Sequence, residues 1–508
     1  MPGQRRLFSL AILLPLILER TCVAADSRYF AIHVIDDATG RGVPLVELKT
    51  DANVSYYTDS AGFAALDDPV LMGHNAYFFV RSDGYEYPAD GFGYRGKTLD
   101  VEAGQEATLK IRRLNIAQRL YRLTGEGIYR DSVMLARPVP IHQPLLNAQV
   151  TGQDSTMAVV YGGVVHWFWG DTARPSYPLG HFGTSGAISE LPGRGGLDAS
   201  VGVDLTYYTD ADGFARPTLD GPNGTMRWLD GLLVVRDDAG REKMVGVESD
   251  HKSLAEVVGR KLVVWNERRN AFDVLAPIPP QTRVLPDGHP VRATGGGVDY
   301  FYFGFAFPNV RVKADLRSIC DFGSYEAYTC LAPESSFEGE HSQIQRNADG
   351  SADWGWKRNT EPLSPGQIME LFKLGRLKTA ELRYLPADAD GGKPIVMQGG
   401  SATYNAYRRK WVEIAVQDHG ESSFLGEIWY SEADHPEGPW LRAKKIITHD
   451  RYSFYNPVQH PFFEQEGGKL IYFDGTYATS FSRDGGATPR YDYNVIMYRL
   501  DLSDPRLH

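Results

Sequence analysis

The chain has 508 residues, with 53 Lys and Arg against 64 Asp and Glu and a formal net charge of -11. This balance offers no basic stripe for a phosphate backbone, which excludes nucleic acid as the expected partner. With 42% hydrophobic residues the chain can bury a full core, and its length implies more than one domain.

In chain order, the first feature is a leader. Arg5 and Arg6 precede an apolar stretch from Leu7 to Leu18, and the small residues Val23, Ala24 and Ala25 follow. This pattern predicts a signal peptide over residues 1–25 and a secreted or periplasmic protein. The apolar stretch is too short to span a membrane and no later segment is longer, so no membrane span is expected. Glu19, Arg20 and Thr21 before Cys22 do not make a lipobox. Cleavage after Ala25 would leave Cys320 and Cys330 as the only thiols, and in an oxidising compartment they are expected to form one disulfide.

High aromatic content (12%, with 28 Tyr) and 53 Gly and 30 Pro predict many short strands joined by turns, so the expected class is all-β. Residues 26–115 alternate apolar and polar positions between Asp/Gly turns, which predicts a small β-sandwich of about seven strands. Its segments VPLVEL and TDSAGF resemble the transthyretin-like, or carboxypeptidase-regulatory-like, accessory domain, which implies a spacer or docking module. Residues 116–144 combine a possible short helix, IAQRLYRL, with the Pro-rich ARPVPIHQP, and read as a linker.

From residue 145 to the end, five groups of strands recur at irregular intervals, each with a turn such as Asp-Asp-Ala-Gly. Repeating four-strand sets predict propeller blades, here five. Two stretches, 174–220 and 315–380, interrupt the pattern and read as insertions lining a binding face. Ser364 followed by Pro365 starts a predicted helix over 364–373.

The first group ends in VVHWFWGDT, a buried strand running into Gly170 and Asp171. The segment GQDSTMAVVYGGVVHWFWGDT resembles the first blade of five-bladed β-propeller glycosidases. The chain from 145 to 502 is most similar to the domain-of-unknown-function 4185 group, which includes endo-D-arabinanases. GEIWYSEADHPEGPW, FDGTYA and MYRLDL add to the likeness. The resemblance implies a glycoside hydrolase acting on a polysaccharide or oligosaccharide, with Asp154 and Asp171 as paired carboxylates. Such chemistry needs one protonated acid to help the leaving oxygen depart and one ionised group to attack or to activate water. Asp154 could equally cap the start of a strand.

Glu248, with Asp250, ends the strand KMVGVES and offers a third carboxylate, or else a solvated turn. Arg227, His289, Tyr404, Asn405, Tyr455 and His460 stand at blade starts or among aromatics and are the expected sugar-binding residues, with a structural role the alternative for His460. No metal motif such as an EF-hand loop or HExxH is present, and no cofactor is expected beyond a structural axial calcium held by Asp, Asn and His side chains. Two other readings fit the same residues. One is a polysaccharide lyase in which His460 or a Tyr abstracts a proton and Asn405 or an Arg neutralises a uronate carboxylate. The other is a propeller that binds glycans without catalysis.

Overall fold

The structure, a computed structural model, describes residues 27–220, 225–253, 256–450, 452–482 and 486–507. The signal peptide expected over residues 1–25 lies outside the described residues. The fold is all-β, with two layers at the N-terminal end followed by a ring of sheets.

The N-terminal sandwich consists of two four-stranded sheets. In one, Phe30–Asp36 lies between Phe63–Leu66 and Glu106–Arg113, antiparallel to the first and parallel to the second. In the other, Glu47–Thr50 lies between Ser55–Tyr57 and His74–Arg81, with Gly96–Val101 at the edge. Alternation sorts the faces: in Glu106–Arg113 only Leu109 and Ile111 are buried, and they meet Ile32, Val34 and Phe78 between the sheets.

Five larger sheets follow in chain order, antiparallel except where Ala387–Asp388 runs parallel to Arg442–Thr448 in the fourth, and a small three-stranded sheet, Gly152–Gln153, Thr172–Arg174 and Tyr177–His181, adjoins the first. The first is built on Met157–Tyr161 and Val164–Trp169, and the second on Met226–Arg236 and Glu242–Ser253. The third is built on Val291–Gly295 and Val298–Phe303, the fourth on Met397–Asn405 and Lys410–Gln417, and the fifth on Ser453–Gln459 and Leu470–Ala478.

Each sheet packs on the next through its own apolar cluster. Phe168 and Tyr161 of the first meet Leu229 and Met244 of the second. Val245 of the second meets Phe301 and Val312 of the third, and Phe307 beyond the third meets Trp411 and Trp429 of the fourth. Ile414 of the fourth meets Phe454 and Phe473 of the fifth, and Val495 and Met497 of the fifth return to Val165 and Trp167 of the first. Five interfaces in a closed cycle make a five-bladed propeller.

The ring is closed by a strand that sequence reading assigned to a linker. Gln118–Arg122 is fully buried and pairs antiparallel with Asn494–Asp501 as the outer strand of the fifth sheet. The helix expected in IAQRLYRL is therefore absent. This stretch gains backbone partners on the sheet and is covered by the sandwich on its other side, so tertiary pairing overrides its local preference. The supposed insertions also complete blades: Thr206–Tyr207 is the outer strand of the first sheet, and Glu326–Thr329 and Gly355–Arg358 finish the third. The helix Pro365–Lys373 forms as expected, with Ser364 capping it by accepting from the Gln367 N–H.

The expected disulfide is corrected: Cys320 and Cys330 are both free thiols. Cys320 packs against the cluster between the second and third sheets, and Cys330 is buried in the cluster between the third and fourth, so the strand Glu326–Thr329 carries them to different interfaces. Burial pushes the Cys330 thiol up to about 12. Protein purified without reductant and then unfolded will therefore titrate both thiols with a chromogenic disulfide reagent. A cross-linked pair would titrate neither.

Candidate functional site

The inner strands surround a cavity of about 830 Å³, within the range of ligand sites. Every sheet contributes to its wall: Trp169 from the first, Trp228 from the second, Phe305 after the third, Gly400 from the fourth and Tyr455 from the fifth.

Asp154 is delivered to this wall by the first hairpin. Met157 pairs with Phe168, and extending that register by three residues sets Asp154 opposite Asp171. The two are joined locally: the Asp171 N–H donates to Asp154 Oδ1 at 3.0 Å and the Gly170 N–H donates to the Asp154 carbonyl at 2.8 Å. The hydroxyl of Tyr455, from the fifth sheet, donates to Asp154 Oδ2 at 3.1 Å. A side chain at position 170 has no room, because a Cβ there would lie 2.4 Å from Asp154 Oδ1. Gly170→Ala is thus expected to push the carboxyl out of place and lower the melting temperature by a few degrees, read by thermal denaturation.

Beside Asp154 the backbone is held in an unusual state. Ser155 has φ +57° and Asn456 has φ +49°, and the Asn456 side-chain amide donates to Ser155 Oγ at 2.7 Å across the boundary of the first and fifth sheets. A left-handed serine is uncommon and costs energy, so the surrounding fold must impose it. The Ser155 N–H is anchored in turn on Thr476 Oγ1 at 2.9 Å.

The two acids differ in environment. Burial, and next the charge of Asp171, push the Asp154 carboxyl up to about 7, while hydrogen bonds from Tyr455, the Asp171 N–H and Tyr493 oppose the shift. Burial also raises Asp171, but the Trp228 indole N–H, 2.9 Å from its Oδ1, favours its ionised form.

Other predicted residues fall in different places. His289 lines the cavity, and burial, then the neighbouring His460, lowers its imidazole to about 4, so it is neutral. His460 lies behind the wall, fully buried, with Nε2 2.9 Å from Asp474 Oδ2. Along Glu242–Ser253 the side chains of Val247, Ser249 and His251 line the cavity, and the alternation turns Glu248 and Asp250 to the opposite face. There Lys261 Nζ lies 2.9 Å from both carboxylates and Arg227 Nε 3.3 Å from Asp250. Glu248 and Arg227 are thus parts of an ion cluster outside the cavity.

Tyr404 and Asn405 are also outside it. The strand Met397–Asn405 meets the cavity at Gln398–Gly400, and its last residues lie roughly 15 Å further on. Tyr404 is exposed there, and Asn405 is a turn residue that donates to the Gly468 carbonyl at 2.7 Å and accepts from the Arg408 N–H at 2.9 Å. With His460 sealed and Asn405 remote, the lyase assignment keeps only its Tyr and Arg alternatives at the cavity, where Tyr455 and Arg260 stand. Among the described residues no group of three or more His, Cys, Asp and Glu is arranged to hold a metal ion.

Sequence reading missed Asp230 and Asp287, which line the side formed by the second sheet and the approach to the third. Burial pushes them up to about 6 and about 7, the second also through the charge of the first. Both precede glycine, and Asp-Gly reads as a turn. The available signal was WLDGLL, where a turn pair interrupts a strand. Gly231 has φ +58° and the pairing register shifts between Asp230 and Leu233, a bulge that aims the acid inward.

No protein-family model and no curated protein matches the sequence. Solved structures similar to the chain include an exo-β-1,3-galactanase from Phanerochaete chrysosporium, 10% identical over 70% of this chain and 64% of that one, with a TM-score of 0.34. An exo-1,5-α-L-arabinanase from a bovine ruminal metagenomic library is 9% identical over 70% of this chain and 94% of its own, TM-score 0.34. An endo-arabinase from Bacteroides thetaiotaomicron is 8% identical over 71% and 98%, TM-score 0.33. Likenesses at this level carry nothing about residues or substrate, and the functional reading stands on the cavity itself.

Proposed function

We propose that the protein is an exported glycoside hydrolase that cleaves a polysaccharide or oligosaccharide in the axial cavity, with Asp154 as its proton donor. The observation that carries this reading is the unequal pair on the first hairpin. Asp154 keeps its proton to about pH 7 beside Asp171, whose ionised form the Trp228 indole supports. A carboxylic acid that is still protonated near neutral pH can protonate a departing sugar oxygen, and a neighbouring carboxylate stabilises positive charge at the anomeric carbon. Trp228, which is half-buried, and Phe305 and Phe481, which are exposed, offer apolar ring surface around the same cavity for sugar C–H faces.

Export is supported by the leader of residues 1–25. The likeness of the first blade to the domain-of-unknown-function 4185 group makes a furanose polysaccharide such as D-arabinan the first substrate to offer. Purified protein incubated with plant, algal and microbial polysaccharides should release reducing ends, and Asp171→Asn should abolish the release. Binding without turnover by the wild type would replace the hydrolase with a glycan-binding propeller, and a product absorbing in the ultraviolet would mark a lyase.

A further inference from the structure

Asp154 and Asp171 belong to one hairpin and hence to one wall, so they do not stand on two sides of a sugar bond. The first sheet holds that wall. Asp287 lies on the segment entering the third sheet, two sheets further round the ring, and lines the same cavity. Its Oδ1 is shielded from solvent and has no hydrogen-bond partner among the described residues. Asp230 next to it is already engaged: the Gly231 N–H donates to its Oδ1 at 2.9 Å, and the Gly288 N–H also donates to its carboxylate. Gly288, with φ +62°, fixes the approach of this segment, because a Cβ there would lie 2.4 Å from the Gly304 carbonyl oxygen. Arg260, Arg283, His251 and His289 are the other titratable groups on this side, and the Arg260 charge favours the ionised forms of both acids.

We propose that Asp287 is the catalytic carboxylate facing Asp154 across the cavity, taking the proton of the attacking water, and that Asp230 is its positioning residue. The proposal rests on the glycoside hydrolase reading. In the step it describes, the water oxygen bonds to the anomeric carbon while one water proton passes to Asp287. The bond from that carbon to the leaving oxygen breaks, its electron pair stays on the oxygen, and the Asp154 proton joins it. Exchange with solvent then returns a proton to Asp154 and removes one from Asp287. A single displacement of this kind inverts the anomeric configuration.

The test uses the full exported chain and the polysaccharide from which the wild type releases reducing ends. Asp287→Asn should lower kcat by about 10³-fold with KM nearly unchanged, while Asp230→Asn should lower kcat by about tenfold and shift the pH profile. Azide added to Asp287→Ala should restore turnover and yield a glycosyl azide of inverted configuration, which a merely structural role would not produce. Asp287→Glu, which keeps the charge, guards against loss of folding, and its melting curve should match the wild type while its kcat falls.

An Asp287→Asn protein within tenfold of wild-type kcat, in a background where Asp154→Asn is inactive, would overturn the proposal and leave the hydrolase reading standing. Binding of hydroxylated pyrrolidine and piperidine iminosugars by calorimetry separates the two failures. A wild type that neither hydrolyses any polysaccharide nor binds any of these cationic sugar mimics would overturn the reading, and the proposal with it.

Discussion

Replacing Asp154 with Asn is expected to lower kcat/KM on the cleaved polysaccharide by about 10³-fold, the contribution of a positioned general acid. The amide keeps the shape: its oxygen can still accept from the Asp171 N–H, and its NH2 can donate to the Tyr455 hydroxyl oxygen instead of accepting from it, but there is no acidic proton to give. The wild-type rate should peak near pH 7, falling on the alkaline side as Asp154 loses its proton and on the acid side as Asp287 gains one, each with a value of about 7, and the alkaline limb should vanish in the residual activity of the variant. Stability should move the other way. Asp154 is raised on folding, from about 4 in the unfolded chain to about 7. The contribution is therefore fully present below about pH 4 and lost as the pH rises through 7. At pH 8 the wild type carries a buried charge that Asn removes, so Asp154→Asn should melt roughly 1–3 °C higher there and show no such advantage at pH 4. A variant that is both inactive and less stable at pH 8 would mean that the carboxylate supports the fold rather than the chemistry.

The ring of sheets was legible because its signals are local. Runs such as KLVVWN and KWVEIAV alternate or stay apolar over strand length and end on turn residues, and the five strand groups reappear as the five sheets. What stayed hidden depends on contacts distant in sequence. Gln118–Arg122 reads as a helix in isolation and becomes a strand only because Asn494–Asp501, almost four hundred residues later, offers it an edge.

The disulfide failed for a similar reason, since closeness in sequence says nothing about which inter-sheet cluster receives each thiol. At the site, the resemblance of the first blade implied the pairing of Asp154 and Asp171, which share one hairpin ladder, and Tyr455 sits on an inner strand. Glu248 was misplaced by a single step of alternation, which turns the side chain to the far face, and Tyr404 by distance along its strand. Asp230 and Asp287 were passed over because Asp-Gly has the same local chemistry whether it ends a strand or bulges it toward a cavity.

Arg119→Ala is expected to destabilise the whole chain by about 3–5 kcal/mol, the cost of emptying a buried, fully bonded charged site. Arg119 is 2% exposed, and its guanidinium joins the sandwich to the ring. Nη1 donates to the Pro44 carbonyl at 2.9 Å and to Ser82 Oγ at 3.1 Å, Nη2 to the Asp83 carbonyl at 2.6 Å, and Nε to the Tyr498 hydroxyl at 3.1 Å. Tyr498 also contacts His449 Nε2 at 3.0 Å, so the network runs from the sandwich loop through the ring-closing strand into the fifth sheet. Truncation strips donors from the Pro44 and Asp83 carbonyls and leaves a cavity between the two domains. Arg119→Lys keeps the charge but offers one point donor for a forked set of acceptors, so it should recover only part of the loss. Because this strand closes the ring, sandwich and propeller should unfold together in the wild type and separate into two transitions in Arg119→Ala, as read by calorimetry. A single transition at the wild-type temperature would show that the guanidinium network does not couple the domains.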